Sequence, residues 1–233
     1  MPADDLDVVH LGVVEYREAH ALQVRLREAR HEGAVGDTLL LLEHPPVYTH
    51  GRRPDPGGLP MGEDWYRAQG FDVVKTDRGG QVTYHGPGQL VGYPIMAVTD
   101  IARFVRTMER ALVAALADEG IEARTRTAEG AAYTGVWVGE RKVASIGLHV
   151  RRGITTHGFA VNVRNDLQPF EWVVACGLPE VRMTSVRKEL GRADDPLPCF
   201  RRRVGHRFAE AHGRRQRLLS PARLLDALEA VAA

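Results

Sequence analysis

Apolar positions recur along this 233-residue chain with two different periods, and the switches between them predict its elements. Across residues 15–31, Ala19, Leu22, Leu26 and Ala29 fall on one face of a helix. A second helix is expected from the cap Asp100 to about Glu119, striped by Ile101, Phe104, Met108, Leu112 and Leu116 and closed by Gly120. Between them, the run at 38–42 reads as a buried strand stopped by Pro45 and Pro46. The stretch 50–62, rich in Pro and Gly, reads as a loop, and short strands are expected at Val73-Val74 and at 81–84. Residues 90–98 predict another strand, which Pro94 pushes to a sheet edge or a bulge because proline cannot donate to a central ladder.

Three apolar segments follow at 133–138, 142–150 and 154–163, divided by turns at Gly139-Glu140 and Arg151-Arg152-Gly153. This pattern predicts antiparallel strands joined in series. Beyond them the periodicity is mostly helical, with candidates at 184–190, 198–212 and 221–232. No repeat or linker interrupts the chain. The expectation is a single α+β domain over residues 1–233, with a mainly antiparallel or mixed sheet packed against helices.

Composition narrows what such a domain can do. Hydrophobic residues are 44% and charged residues 26%, which suits a globular core and excludes wholesale disorder. A formal net charge of +1 argues against a nucleic-acid binder. No apolar run approaches the roughly 20 residues of a membrane span, and residues 1–10 lack the apolar core of a signal peptide. A cytoplasmic protein is therefore expected. The histidines are scattered, and neither a CxxC pair nor an H-E-x-x-H occurs, so no metal is expected. Lysine is rare, with only Lys75, Lys142 and Lys188 among the arginines. A lysine can give up its proton in settings where an arginine cannot.

Candidate chemistry concentrates in a few segments. Arg78-Gly79-Gly80-Gln81-Val82-Thr83-Tyr84-His85 is followed by Gly86-Pro87-Gly88-Gln89. Two ordinary turns around a strand would explain it, but the density of polar groups between the turns favours a ligand-binding wall. Lys142 opens a strand in which Ala144, Ser145 and Gly147 are small, leaving room for a slender ligand; an exposed turn lysine is the commoner case. Gly158 marks a bulge or a close backbone approach, and His157 reads more readily as structural than as a base. Cys176, before Gly177, suits burial and nucleophile presentation equally, whereas Cys199 beside Phe200 reads as packing. Residues 201–223 hold eight arginines against one acid, Glu210, and form either a solvated helix face or a dock for an acidic partner.

As an ordered set, these segments resemble the lipoyl(octanoyl) transferases. The resemblance rests on Glu43-His44-Pro45-Pro46-Val47-Tyr48, on Arg78 to Gln89, on Arg141 to Gly147, on His157-Gly158-Phe159-Ala160-Val161-Asn162 and on Cys176-Gly177. It covers about residues 11–190 and leaves a helical extension at about 191–233. It implies a fold similar to the catalytic domain of biotin and lipoate protein ligases. It also implies transfer of an octanoyl group from octanoyl-acyl carrier protein to a lysine of lipoyl domains, those of 2-oxoacid dehydrogenases and of the glycine cleavage H protein. By the same resemblance Cys176 is the acyl-thioester nucleophile and Lys142 the group that lowers its pKa. Substrate contacts are implied for Arg78, Gly79, Gly80, Gln81, Val82, Thr83, Tyr84 and His85, for Ser145, Ile146 and Gly147, and for Gly158, Phe159 and Ala160. No cofactor, metal, nucleic acid or membrane is called for. An ATP-dependent lipoate ligase of the same fold, a thioesterase using Cys176 with His85 or His157, and a non-enzymatic scaffold for carrier proteins are the rival readings. A ligase needs no nucleophilic cysteine, so Cys176-Gly177 speaks against the first.

Overall fold

A computed structural model describes residues 5–53, 57–174, 180–191 and 194–232. The chain begins with β1 (Asp5–Val13), α1 (Tyr16–His31), β2 (Thr38–Glu43), β3 (Val47–His50), α2 (Glu63–Ala68), β4 (Asp72–Lys75), β5 (Thr83–His85) and β6 (Gln89–Ile95). It continues with α3 (Ile101–Ala117), β7 (Arg124–Thr125), β8 (Gly135–Val138), β9 (Arg141–Arg151) and β10 (Ile154–Asn162). The last elements are α4 (Val186–Leu190), α5 (Leu197–Ala211), β11 (Arg215–Leu219) and α6 (Pro221–Ala232). None of the described helices is long and apolar enough to cross a membrane.

The strands form an eight-stranded sheet in the order β11-β1-β2-β6-β10-β9-β8-β7 and a three-stranded sheet in the order β4-β3-β5. β1 runs parallel to β11 and β2, and the other pairs of the large sheet are antiparallel, giving the mixed sheet that was expected. Period-two alternation sorts the central strands onto two cores. Val8, Leu39, Leu41, Leu90, Phe159 and Val161 face α3 and α5. Val9, Leu40, Leu42, Val91 and Ala160 face α1 and α6. Burial on both faces is why residues 38–42 read as an unbroken apolar run. A third core gathers Tyr48, Tyr66, Tyr84, Phe170 and Val173 beneath the small sheet.

The helices start at side-chain caps. Glu15 accepts from the backbone N–H groups of Arg17 and Glu18, and Asp100 accepts from Arg103. Several expectations need correction. Ile101, placed on the buried stripe, lies in the first turn of α3 and is half exposed. The region after residue 190 is not wholly helical, because β11 adds a parallel edge strand there. Its sequence, Arg-Gln-Arg-Leu-Leu, carries no strand alternation; Arg215 and Arg217 instead pair with Asp5 and Asp7, their register partners on β1. β1, β3 and the two-residue β7 were likewise not predicted. Pro45 and Pro46 follow the end of β2 as expected, and the unpredicted β3 comes at once after them in the second sheet.

Pro94 is not at an edge. β6 lies between β2 and β10, in the middle of the large sheet. The ladder to β10 stops at Gly92–Phe159 and resumes with the Ala97–Ile154 bridge, so the missing proline donor falls in an interruption. There His157 takes a left-handed backbone (φ 57°), and its N–H donates to Gln23 Oε1 of α1 at 2.7 Å instead of to β6. The Pro94 carbonyl is satisfied by the Thr155 hydroxyl at 2.6 Å. Gly158 lets the two backbones approach: a Cβ there would lie 2.1 Å from the Gly92 carbonyl oxygen. Gly158→Ala should therefore destabilise the fold by about 1–3 kcal/mol or more. Thermal unfolding should show a midpoint several degrees lower, and an unchanged midpoint would mean that β6 and β10 separate freely here.

Candidate active site

β9 and β10 bring two of the sequence segments into direct opposition. Ser145 pairs with Ala160, Ile146 with Phe159 and Gly147 with Gly158. All six line one cleft. Lys142 joins them because of a bulge between β8 and β9. Trp137 pairs with Lys142, but the preceding Val136 pairs with Ala144, leaving Val143 as an extra residue. Without that insertion, period two would put Lys142 on the face of Ala144. With it, Lys142 shares the face of Ser145 and Gly147.

The Lys142 side chain is buried, only 2% exposed, although an exposed turn lysine is the commoner outcome at such a position. Its Nζ lies 5.3 Å from the centroid of the Trp137 ring. Gly135 (φ 136°) makes room for the aliphatic stem, since a Cβ there would lie 2.8 Å from Lys142 Cε. The buried carboxylate of Glu109, on α3, holds Gly135 by accepting its N–H at 2.9 Å. The Lys142 main chain is fastened to the segment after residue 179, donating to the Arg182 carbonyl and accepting from Thr184 N–H, both at 2.9 Å.

The roof of the cleft is the loop between β4 and β5. Gly79 N–H donates to the Leu148 carbonyl of β9 at 2.9 Å. A Cβ on Gly147 would lie 2.7 Å from the Gly79 carbonyl oxygen. The missing side chain at Gly147 thus admits the roof loop, and Gly147 still lines the cleft beneath it. Arg78 holds the loop's shape. Its Nε donates to Thr49 Oγ1 at 3.1 Å, Nη2 to the Thr49 carbonyl at 2.5 Å and Nη1 to the Gly79 carbonyl at 3.0 Å. On β5, Thr83 and His85 face the cleft. Alternation turns Val82 and Tyr84 the other way, into the third core, so these two expected substrate contacts are packing residues.

One end of the cleft is lined by Tyr16, His85, Tyr93 and His157, with His44 behind them. His85 Nδ1 meets Gln89 Oε1 at 2.7 Å, and burial holds the His85 ring's pKa well below its ordinary value. Burial also lowers His157 and pushes the Tyr16 hydroxyl up to about 12. His157 Nε2 donates to Asp77 Oδ1 at 2.6 Å, and that hydrogen bond keeps Asp77 below the usual carboxylate range.

Residues 15–208 match the family model of the lipoyl protein ligase A/B catalytic domain. The chain belongs to that family. Within it, the chain is similar to the octanoyltransferase of Rubrobacter xylanophilus, 46% identical over 213 residues that span 89% of this chain and 94% of the relative. The octanoyltransferase of Caldicellulosiruptor bescii is 41% identical over 232 residues, covering 96% and 99%. Among solved structures, a bipartite archaeal lipoate protein ligase from Thermoplasma acidophilum superposes with a TM-score of 0.74 at 18% identity, over 98% of this chain and 92% of that one. Biotin protein ligase from Aquifex aeolicus gives 0.50 at 15% identity, over 88% and 68%. The expected likeness to the lipoate and biotin ligase folds holds.

For this lipoyl ligase A/B family member, Arg78, Gly79, Gly80, Gln81, Thr83, His85, Lys142, Ser145, Ile146, Gly147, Gly158, Phe159 and Ala160 converge on one cleft. Cys176 lies outside the described residues. Cys199, expected to pack, is exposed. Tyr16, Arg53, Tyr93 and Thr134 also line the cleft and were not predicted. Tyr16 opens α1 with no chemical neighbour in sequence, so only the fold reveals it. The arginine-rich stretch is largely engaged within the molecule, as Arg203 pairs with Glu119, Arg207 with Asp118 and Glu210, and Arg214 with Asp37. The solvated-face reading fits this stretch better than a carrier dock.

His44 offers a test of the buried cluster. Its Nδ1–H donates to the Val14 carbonyl and its Nε2 accepts from the Tyr93 hydroxyl, both at 2.7 Å, which the neutral ring satisfies. Burial lowers its pKa from 6.5 to about 4. The unfolded chain therefore binds this proton first, and the contribution present above pH 6.5 is lost as pH falls towards 4. The full effect is about 3 kcal/mol. In urea denaturation, the stability difference between wild type and His44→Gln should shrink by about that amount across this window. A pH-independent difference would contradict the assignment.

Proposed function

We propose that this chain is an octanoyltransferase, moving an octanoyl group from octanoyl-acyl carrier protein to a lysine of a lipoyl domain. The acceptors are the lipoyl domains of 2-oxoacid dehydrogenases and the glycine cleavage H protein, and the whole chain acts as one octanoyltransferase domain in the cytoplasm. The observation that carries the reading is the buried Lys142 facing a cleft walled by the transferase motifs. Cys176 supplies the nucleophile. Its thiolate attacks the donor thioester carbonyl, a new C–S bond forms, and the carrier thiol leaves with a proton. The lipoyl-domain amine then attacks the acyl-cysteine, a C–N bond forms, and the Cys176 sulfur is released. The Lys142 ammonium stabilises the thiolate by its charge and passes the proton between leaving thiol and attacking amine. Support for placing Cys176 near it comes from the hydrogen bonds that fasten Arg182 and Thr184, just after the cysteine's segment, to Lys142. Thioester-to-thioester transfer is nearly isoenergetic, and the final amide makes the cycle run forward without ATP.

Purified protein incubated with octanoyl-acyl carrier protein should gain one octanoyl mass, released by hydroxylamine and absent in Cys176→Ser. Adding a lipoyl domain should transfer the group without ATP; a strict ATP requirement would favour the ligase reading. Lys142→Met keeps the length and removes the amine. Both half-reactions, measured in single turnovers, should slow by about 10²–10⁴-fold while the fold is retained. Near-normal rates would remove Lys142 from the chemistry.

A further inference from the structure

The histidines are scattered in sequence, yet the fold gathers several of them around one carboxylate. We propose that His20, Asp77 and His157 form a binding site for a divalent cation of the zinc class. His157 Nε2 lies 2.6 Å and His20 Nε2 3.5 Å from the same oxygen, Asp77 Oδ1, and the three ligand atoms all lie within 4.8 Å of one another. A tetrahedral zinc with bonds of about 2.0–2.2 Å needs ligand atoms roughly 3.2–3.6 Å apart; the 3.5 Å between His20 and Asp77 already matches, and the 2.6 Å between His157 and Asp77 must open to admit the ion. The cation would take the place of the proton that His157 now shares with Asp77.

The donor set sets the class of ion. Two imidazoles and one carboxylate suit Zn²⁺ or Co²⁺, whereas Mg²⁺ and Ca²⁺ prefer oxygen cages. Three protein ligands leave a fourth position for water, and the site opens to solvent on one side. The His157 side chain is 2% exposed, but those of His20 and Asp77 are 35% and 40% exposed. A supporting layer is present as well. His149 Nδ1 lies 3.2 Å from the other Asp77 oxygen, and Gln23 holds the His157 backbone. His20 has freedom to adjust. Its ring stacks on that of His157, with centroids 5.3 Å apart and planes 18° apart, and its exposure leaves it room to swing its nitrogen towards the ion. The site joins α1, the β4–β5 loop and β10. It uses neither Lys142 nor Cys176, so it stands independently of the acyl-transfer reading.

Metal-stripped full-length protein titrated with Co²⁺ tests the site, with Zn²⁺ as competitor. One Co²⁺ should bind per chain at micromolar concentration, giving visible ligand-field bands without a near-ultraviolet thiolate charge-transfer band, and Zn²⁺ should displace it. His20→Ala, at a partly exposed helix position, should weaken binding by more than the roughly 10–100-fold expected for losing a supporting group. Asp77→Asn, which keeps a hydrogen-bonding partner for His157, should weaken it comparably. The metal-free melting temperature of His20→Ala should match wild type. Absence of saturable binding, a thiolate band that places the metal on a cysteine, or undiminished affinity in both variants would each overturn the proposal.

Discussion

A single extra residue in β9 decides which way the buried lysine points. The bulge at Val143 rotates Lys142 off the face of Ala144 and onto that of Ser145 and Gly147, where the cleft lies. Other features of the site are arranged around that rotation. Gly135 supplies a backbone conformation and an empty Cβ position for the lysine stem, and Glu109 reaches from α3 to hold Gly135. The roof loop can lie on β9 only because Gly147 lacks a side chain. Charge, strand and loop are thus positioned by backbone geometry before any substrate is present.

The other end of the cleft is built differently. Tyr16, His44, His85, Tyr93 and His157 pack ring against ring, and burial favours the neutral form of each histidine. Tyr16 and Tyr93 are held as phenols by the same desolvation. A wall made of five titratable residues therefore presents hydrogen-bonding rings with no net charge near neutral pH. Charge is kept outside it, on Asp77, which is partly exposed and hydrogen-bonded to His157.

Much of this was legible in the sequence, because strong periodicity and local turn chemistry do not need tertiary context. α1, α3, β2 and the β8–β9–β10 series fall where their patterns place them. Residue type alone left the glycine-rich segment and the Lys142 segment open to bland readings; the ordered set of motifs and its family resemblance marked them as a candidate site. What failed was decided at a distance. Pro94 sits in a central strand because Gln23 and Thr155 take over hydrogen bonds that the ladder cannot make. β11 is a strand because two aspartates on β1 lie opposite its arginines. Val82 and Tyr84 belong to a motif, but strand alternation gives them to the core, and no motif encodes which face of a strand is which.

The pairing of β11 with β1 has a consequence for how the chain reaches its fold. Arg215 and Arg217 meet Asp5 and Asp7 at a sequence separation of 210. Until that late segment has been synthesised, β1 presents an unpaired strand edge beside the central β2. An open edge of that kind can recruit another chain. Contacts so distant in sequence also close slowly. The matched family region ends at residue 208, before β11 begins. β1 is therefore covered by a strand that lies beyond the matched family region, and the edge left in the finished sheet is that of β11, whose Arg215 and Arg217 are already held by Asp5 and Asp7.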